Sequence, residues 1–134
     1  MQEQLIKKDI LYPQLSYQII GVLFEVYNKF GPGLQEKYYQ KEIAAIFKIL
    51  KIPFKEQVVY KIALSDGTSV RCFFDFVIDN KIALEIKKGD RFLKNNIDQL
   101  FSYLKISKLK LGILANFTSR GLQFKRIINL KDNS

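Results

Sequence analysis

The chain has 134 residues, 48% of them hydrophobic, and its 22 lysines and arginines against 13 acidic residues give a formal charge of +9. That is enough apolar material for one packed core, so a single domain is expected. With no histidine and one cysteine, the chain excludes Ser-His-Asp and Cys-His catalysis and an internal disulfide, and argues against a protein zinc site.

Carboxylates and lysines remain as chemical tools, a set that suits Mg²⁺ or Mn²⁺ better than softer metals. The basic balance favours polyanionic partners such as nucleic acid. No stretch approaches the roughly 18 apolar residues of a membrane span. The polar start Met1-Gln2-Glu3-Gln4 has no signal-peptide core, so a cytoplasmic protein is the expectation.

The first helical pattern covers residues 15–30, where Leu15, Ile19, Val22, Leu23, Val26, Tyr27 and Phe30 repeat at the spacing of one buried face. Gly31-Pro32-Gly33 stops it. A second helix is expected from residue 34 or 35 to residue 50, with Tyr39, Ile43, Ile46, Phe47 and Leu50 inward and Pro53 closing the segment. Strand patterns follow at 57–64 and 68–78, joined by the turn Ser65-Asp66-Gly67, and then at 82–87. These form an antiparallel meander. Gly89-Asp90 ends it, and Ile97, Leu100, Phe101 and Leu104 mark a helix over 93–105. Residues 109–115 are nearly all apolar, as in a strand covered on both faces. A parallel crossover would set that strand beside residues 82–87. A short last strand, 124–128, precedes a polar tail. Cys72 lies within a strand pattern, where a buried structural thiol is the expected reading.

The hairpin made by 70–78 and 82–87 carries the chemistry. If Ile78 pairs with Ile82 across Asp79-Asn80-Lys81, then Phe76 faces Leu84 and Phe74 faces Ile86, giving one continuous apolar face. Asn80 or Lys81 would take the positive φ that such a loop needs. The same register places Asp75 opposite Glu85, with Lys87 on their face. Slipping by one residue would set apolar side chains beside charged ones, so the hydrophobic pattern itself selects the register that pairs the carboxylates. Like charges facing each other destabilise a sheet. A divalent cation with oxygen ligands would relieve them.

A meander carrying an aspartate and then, after nine residues, a Glu-x-Lys run, followed by a helix and another strand, resembles the core of the PD-(D/E)xK nuclease superfamily. Gln99 and Tyr103 match the Q-x-x-x-Y pair of its RecB-type and lambda-exonuclease-type members. Gly33, Glu36 and Tyr39 form G-x-x-E-x-x-Y. With Phe30 to Glu36 and Lys110 to Phe117, they resemble the GxxExxY protein family, a branch of that superfamily, over residues 15–129. The resemblance departs at Tyr27, where relatives carry histidine, and at Phe74, which replaces the proline before the aspartate.

The resemblance implies an α/β fold with a restriction-endonuclease-like core, a mixed central sheet flanked by helices, and a Mg²⁺- or Mn²⁺-dependent nuclease acting on nucleic acid, with DNA the expected substrate. Asp75, Glu85 and the backbone carbonyl of Ile86 resemble the metal ligands, and Lys87 the lysine that positions or polarises the attacking water. Glu36 resembles an acidic residue contributed from the N-terminal helix, although the helix dipole alone also accounts for an acid in a first turn. Gln99 and Tyr103 resemble supporting side chains. Many small nucleases of the superfamily act as dimers, so the resemblance admits a homodimer and leaves the oligomeric state open. Lys94, Lys105, Lys108, Lys110, Arg120, Lys125 and Arg126 are candidate phosphate contacts. The alternatives are a catalytically inactive nucleic-acid-binding module of the same fold and a protein-interaction domain.

Overall fold

The structure, a computed structural model, describes residues 11–91 and 94–130. The polar start, Leu93 as the expected first residue of the third helix, and the tail after Leu130 lie outside the described residues. Helix α1 (Pro13–Phe30) begins with proline in its first turn, where the missing N–H costs nothing. It buries Ile19, Val22, Leu23 and Val26 and ends at Gly31, whose N–H bonds the Tyr27 carbonyl at 2.7 Å. Helix α2 (Glu36–Ile49) buries Tyr39, Ile43, Ala44 and Phe47.

Leu50, expected inward, is 51% exposed. The cause is the way α2 ends. Lys51 adopts φ 59, its N–H bonds the Lys48 carbonyl, and the Ile52 N–H bonds the Phe47 carbonyl at 2.9 Å. This is a Schellman closure with lysine in the left-handed position. It rotates the chain so that Ile52 fills the core in place of Leu50. Phe30 and Phe101, also expected inward, are 42% and 38% exposed.

Five strands follow the order β1-β2-β3-β4-β5: β1 (Phe54–Ala63), β2 (Ser69–Ile78), β3 (Ile82–Lys88), β4 (Leu111–Thr118) and β5 (Gly121–Ile128). Helix α3 (Lys94–Ser107) links β3 to β4, which pair in parallel, while every other neighbouring pair is antiparallel. The meander and the crossover therefore stand as expected. β1 and β5 each begin three residues earlier than the pattern indicated, at Phe54 and Gly121. All eight residues of β4 are buried, as its unbroken apolar run requires. Among the described residues no helix is long and apolar enough to cross a membrane.

The sheet separates two cores. On one side α1 and α2 pack against Phe76, Ile78, Ile82, Leu84, Ile86, Ile113 and Phe117; on the other α3 packs against Phe74, Val77, Ala83 and Leu114. Close approach of α3 depends on Gly112, where a Cβ would meet Leu100 at 3.1 Å and Leu104 at 3.2 Å.

Tyr39 ties the first layer together. Fully buried, it stacks on Phe117 with centroids 4.0 Å apart. Its hydroxyl donates to the Gly31 carbonyl at 2.6 Å and accepts from the Leu34 N–H at 3.1 Å. The segment it holds includes Gly33 at φ 103, a conformation that a residue with a Cβ rarely adopts. The start of α2 is thereby fixed. Tyr39→Phe keeps the ring stack but strands both backbone partners; it is expected to lower unfolding free energy by about 1–3 kcal/mol, read from urea denaturation midpoints at unchanged slope.

Candidate active site

β2 and β3 pair as expected at Ile78/Ile82, Val77/Ala83 and Phe76/Leu84. The connecting turn puts positive φ at Asp79 (52°) and Asn80 (55°), with the Lys81 N–H bonded to the Ile78 carbonyl at 2.9 Å. Asn80 matches the expectation. Asp79, rather than Lys81, is the second such residue, because the tight turn needs both central residues left-handed.

Past Phe76/Leu84 the ladder stops. The Asp75 N–H donates to Glu85 Oε1 at 3.1 Å, and the Ile86 N–H donates to Asp75 Oδ2 at 2.8 Å. Carboxylate oxygens thus take backbone donors that ladder carbonyls would otherwise hold, and the two strands part around them. Phe74 consequently does not face Ile86: Phe74 packs toward α3, while Ile86 packs toward α1 and α2. The change of face falls where the β1–β2 pairing skips Gln57 and Asp75, with Gln57 at φ 49 and its amide bonded to Gln40 of α2 at 2.9 Å. The expected continuous apolar face is therefore broken at Asp75 by backbone conformation, which residue type alone does not encode.

The electrostatics follow from this geometry. Burial raises Asp75 above the ordinary carboxylate range, opposed by the Ile86 N–H and by the charge of Lys87. Burial, and then the charge of Asp75, push Glu85 up to about 8. Two adjacent acids out of water cannot both ionise without a nearby cation. Lys87 is half-buried and its charge favours ionisation of both. Oxygen donors in this setting suit a hard divalent cation.

Glu36, the first residue of α2, accepts the Lys88 N–H through Oε2 at 3.2 Å. It reaches the same end of β3. Among the described residues, however, no three acidic, histidine or cysteine side chains form a metal-sized cluster, so Glu36 stands beside the pair without closing on it. Tyr103 sets its ring edge-on to Phe74, with centroids 6.0 Å apart, and its hydroxyl is raised by burial and by the charges of Cys72 and Glu85. Gln99, one turn earlier, is exposed. Cys72 is buried, as expected. The Tyr27 hydroxyl donates to the Thr118 carbonyl at 2.6 Å, bracing the end of β4.

The basic residues are divided between the two ends of the sheet. Lys94, paired with Asp98 at 3.0 Å, and Arg120, in the β4–β5 turn, lie at the end where β3 and β4 finish. Lys105, over the Phe101 ring at 5.0 Å, Lys108, Lys110 and Arg126, whose guanidinium donates to the Leu11 carbonyl at 3.0 Å, lie toward the other end. Lys125 pairs with Leu114, which pairs with Glu85.

Asn116 was not singled out by sequence reasoning. It is 1% exposed, lies in register with Lys87, and donates through Nδ2 to the Gly89 carbonyl at 3.0 Å. Asp90 accepts the Ser119 N–H at 3.0 Å. Together they pin the β3–α3 connection to the end of β4. The available signal was a lone amide at the end of an apolar run.

A mixed sheet in this order, with an acidic pair where a hairpin parts, defines a restriction-endonuclease-like α/β fold. The chain belongs to the PD-(D/E)XK nuclease superfamily, whose family model matches residues 13–127. A solved structure described as "Crystal structure of SSO0001" shares the fold, with a TM-score of 0.55 and 20% identity over 72% of this chain. The match spans 52% of that protein's length. No curated protein matches the chain.

The raised Glu85 makes a pH prediction. The folded protein keeps a proton on Glu85 up to about pH 8, whereas the unfolded chain releases it near the ordinary value of 4.5. Between those values the native state binds more protons, so the stability contributed by the neutral carboxyl is complete below the lower value and disappears as pH rises through the upper one. Without divalent ions, the protein should lose on the order of 2–4 kcal/mol between about pH 5 and about pH 9. Glu85→Gln should flatten that slope in melts recorded across the range.

Proposed function

We propose that the chain is a metal-dependent nuclease of the GxxExxY branch that hydrolyses phosphodiester bonds in nucleic acid, DNA being its expected substrate. The observation that carries this reading is the contact of Asp75 and Glu85 between parted strands, with the charge of Lys87 acting on both. Asp75, Glu85 and the Ile86 carbonyl would hold one Mg²⁺ or Mn²⁺ ion, and Glu36, bonded to the Lys88 N–H, would supply a further acidic group. Bound there, the ion would neutralise charge on a phosphoryl oxygen and lower the pKa of a coordinated water.

The protein's own groups account for the rest of the chemistry. Hydrolysis forms a bond from water oxygen to phosphorus and breaks the bond to the leaving alkoxide. Lys87 would stabilise the nucleophile and the charge that builds on the phosphoryl oxygens, a contribution strengthened by partial exclusion of water. The backbone N–H groups of Asp75 and Ile86 hold one oxygen of each carboxylate, so the acids are oriented before substrate arrives. Tyr103 would help shield Glu85 from solvent, and Gln99, Lys94 and Arg120 would meet the nucleic-acid backbone at the open end of β3.

The test compares wild type, Asp75→Ala and Lys87→Ala on single- and double-stranded DNA with Mg²⁺ or Mn²⁺. Each variant should lose ~100-fold or more in cleavage rate, and calorimetric Mn²⁺ binding should vanish in Asp75→Ala. Equal rates in all three proteins would reject the nuclease assignment. Salt-dependent DNA binding without turnover would identify a binding module instead.

A further inference from the structure

Beyond Asp75 the paired strands β1 and β2 continue past the rest of the sheet. One face of this extension packs toward α3 through Val58, Tyr60 and Phe74. The other face carries Val59 opposite Phe73 and Lys61 opposite Arg71. Phe73 is 54% exposed and Val59 50%, and both cations are exposed. Among the described residues nothing covers this face.

Two features of it work against folding alone. An exposed phenylalanine paired with an exposed valine leaves apolar surface in water. Lysine directly opposite arginine is a like-charge cross-strand pair, and neither forms an ion pair among the described residues. An anion between Lys61 and Arg71 would remove the repulsion. An aromatic ring beside that anion is the combination that binds single strands, in which each phosphate is followed by a base with a free π-face. Along β2, Arg71 and Phe73 share this face, with a step of ~6.6 Å between them. An extended single strand has a comparable repeat per nucleotide.

We infer that this face is a landing surface for a single-stranded segment of nucleic acid. A phosphate sits between Lys61 and Arg71, and the next base stacks on Phe73 against Val59. A duplex keeps its bases stacked on one another and offers Phe73 no free face, so the surface favours unpaired strands and frayed ends. This inference rests on the nuclease reading for the choice of nucleic acid as the occupant, but its binding test does not need cleavage.

The experiment is fluorescence anisotropy with labelled oligothymidylate, oligouridylate and a duplex, all in EDTA, on wild type, Phe73→Ala, Phe73→Leu and Lys61→Ala/Arg71→Ala. Both Phe73 variants should weaken single-strand binding about tenfold while changing duplex binding less than about twofold. The double variant should lower the single-strand salt slope by about 1.4. Because Phe73 is exposed, circular dichroism melts should match wild type, and Phe73→Leu keeps the apolar contact while removing the ring. Unchanged single-strand affinity in both Phe73 variants overturns the surface, even if metal-dependent cleavage is found. Loss of that affinity with no cleavage by wild type leaves the surface standing and rejects the nuclease. A wild-type dimer that Phe73→Ala converts to monomer also overturns it, because the face would then belong to a second copy.

Discussion

Everything at the acidic end of this molecule depends on a substitution of partners within the sheet. Where β2 and β3 separate, two backbone N–H groups are held by the carboxylates of Asp75 and Glu85 instead of by strand carbonyls. Buried amides left without an acceptor are costly, so these bonds let the strands diverge without a large penalty. The same bonds fix the carboxylates in close contact, out of water, where their mutual repulsion is strong. The parting of the strands and the strained protonation of the two acids come from one arrangement. Removing either acid would remove a strand-end cap as well as a titratable group.

The surroundings act on that arrangement from three directions. α2 arrives with Glu36 bonded to the Lys88 N–H, its start secured by the buried Tyr39 hydroxyl. α3 lies close on the sheet over Gly112 and brings Tyr103 to Phe74 and within electrostatic reach of Glu85. β4 supplies Asn116, whose amide holds the connection leaving β3. The Tyr39 and Glu36 positions of the G-x-x-E-x-x-Y motif thus divide into a fold clamp and an acceptor for the end of β3.

Much of this was legible in the sequence because the apolar pattern constrained it strongly. Alternation in 76–78 and 82–84 forced one register, and the solid apolar run of β4 required cover on both faces. What escaped was backbone geometry at residues whose type does not announce it. Gln57 and Lys51 adopt positive φ without being glycine or asparagine, and each redirects its neighbours: Phe74 crosses to the α3 side and Leu50 gives way to Ile52. The position of the cations was equally hidden. Their spacing along the chain says nothing about which end of the sheet they occupy until the crossover is placed.

The crossover also sets where in the chain the surroundings of the pair come from. Asp75 and Glu85 are only ten positions apart and meet through a tight hairpin, yet the layers that shut water away from them, α3 and β4, come from later in the chain. In the unfolded chain, open to water, both acids would titrate as ordinary carboxylates. The raised pKa values of the pair are therefore a property of the whole tertiary structure and not of the hairpin by itself.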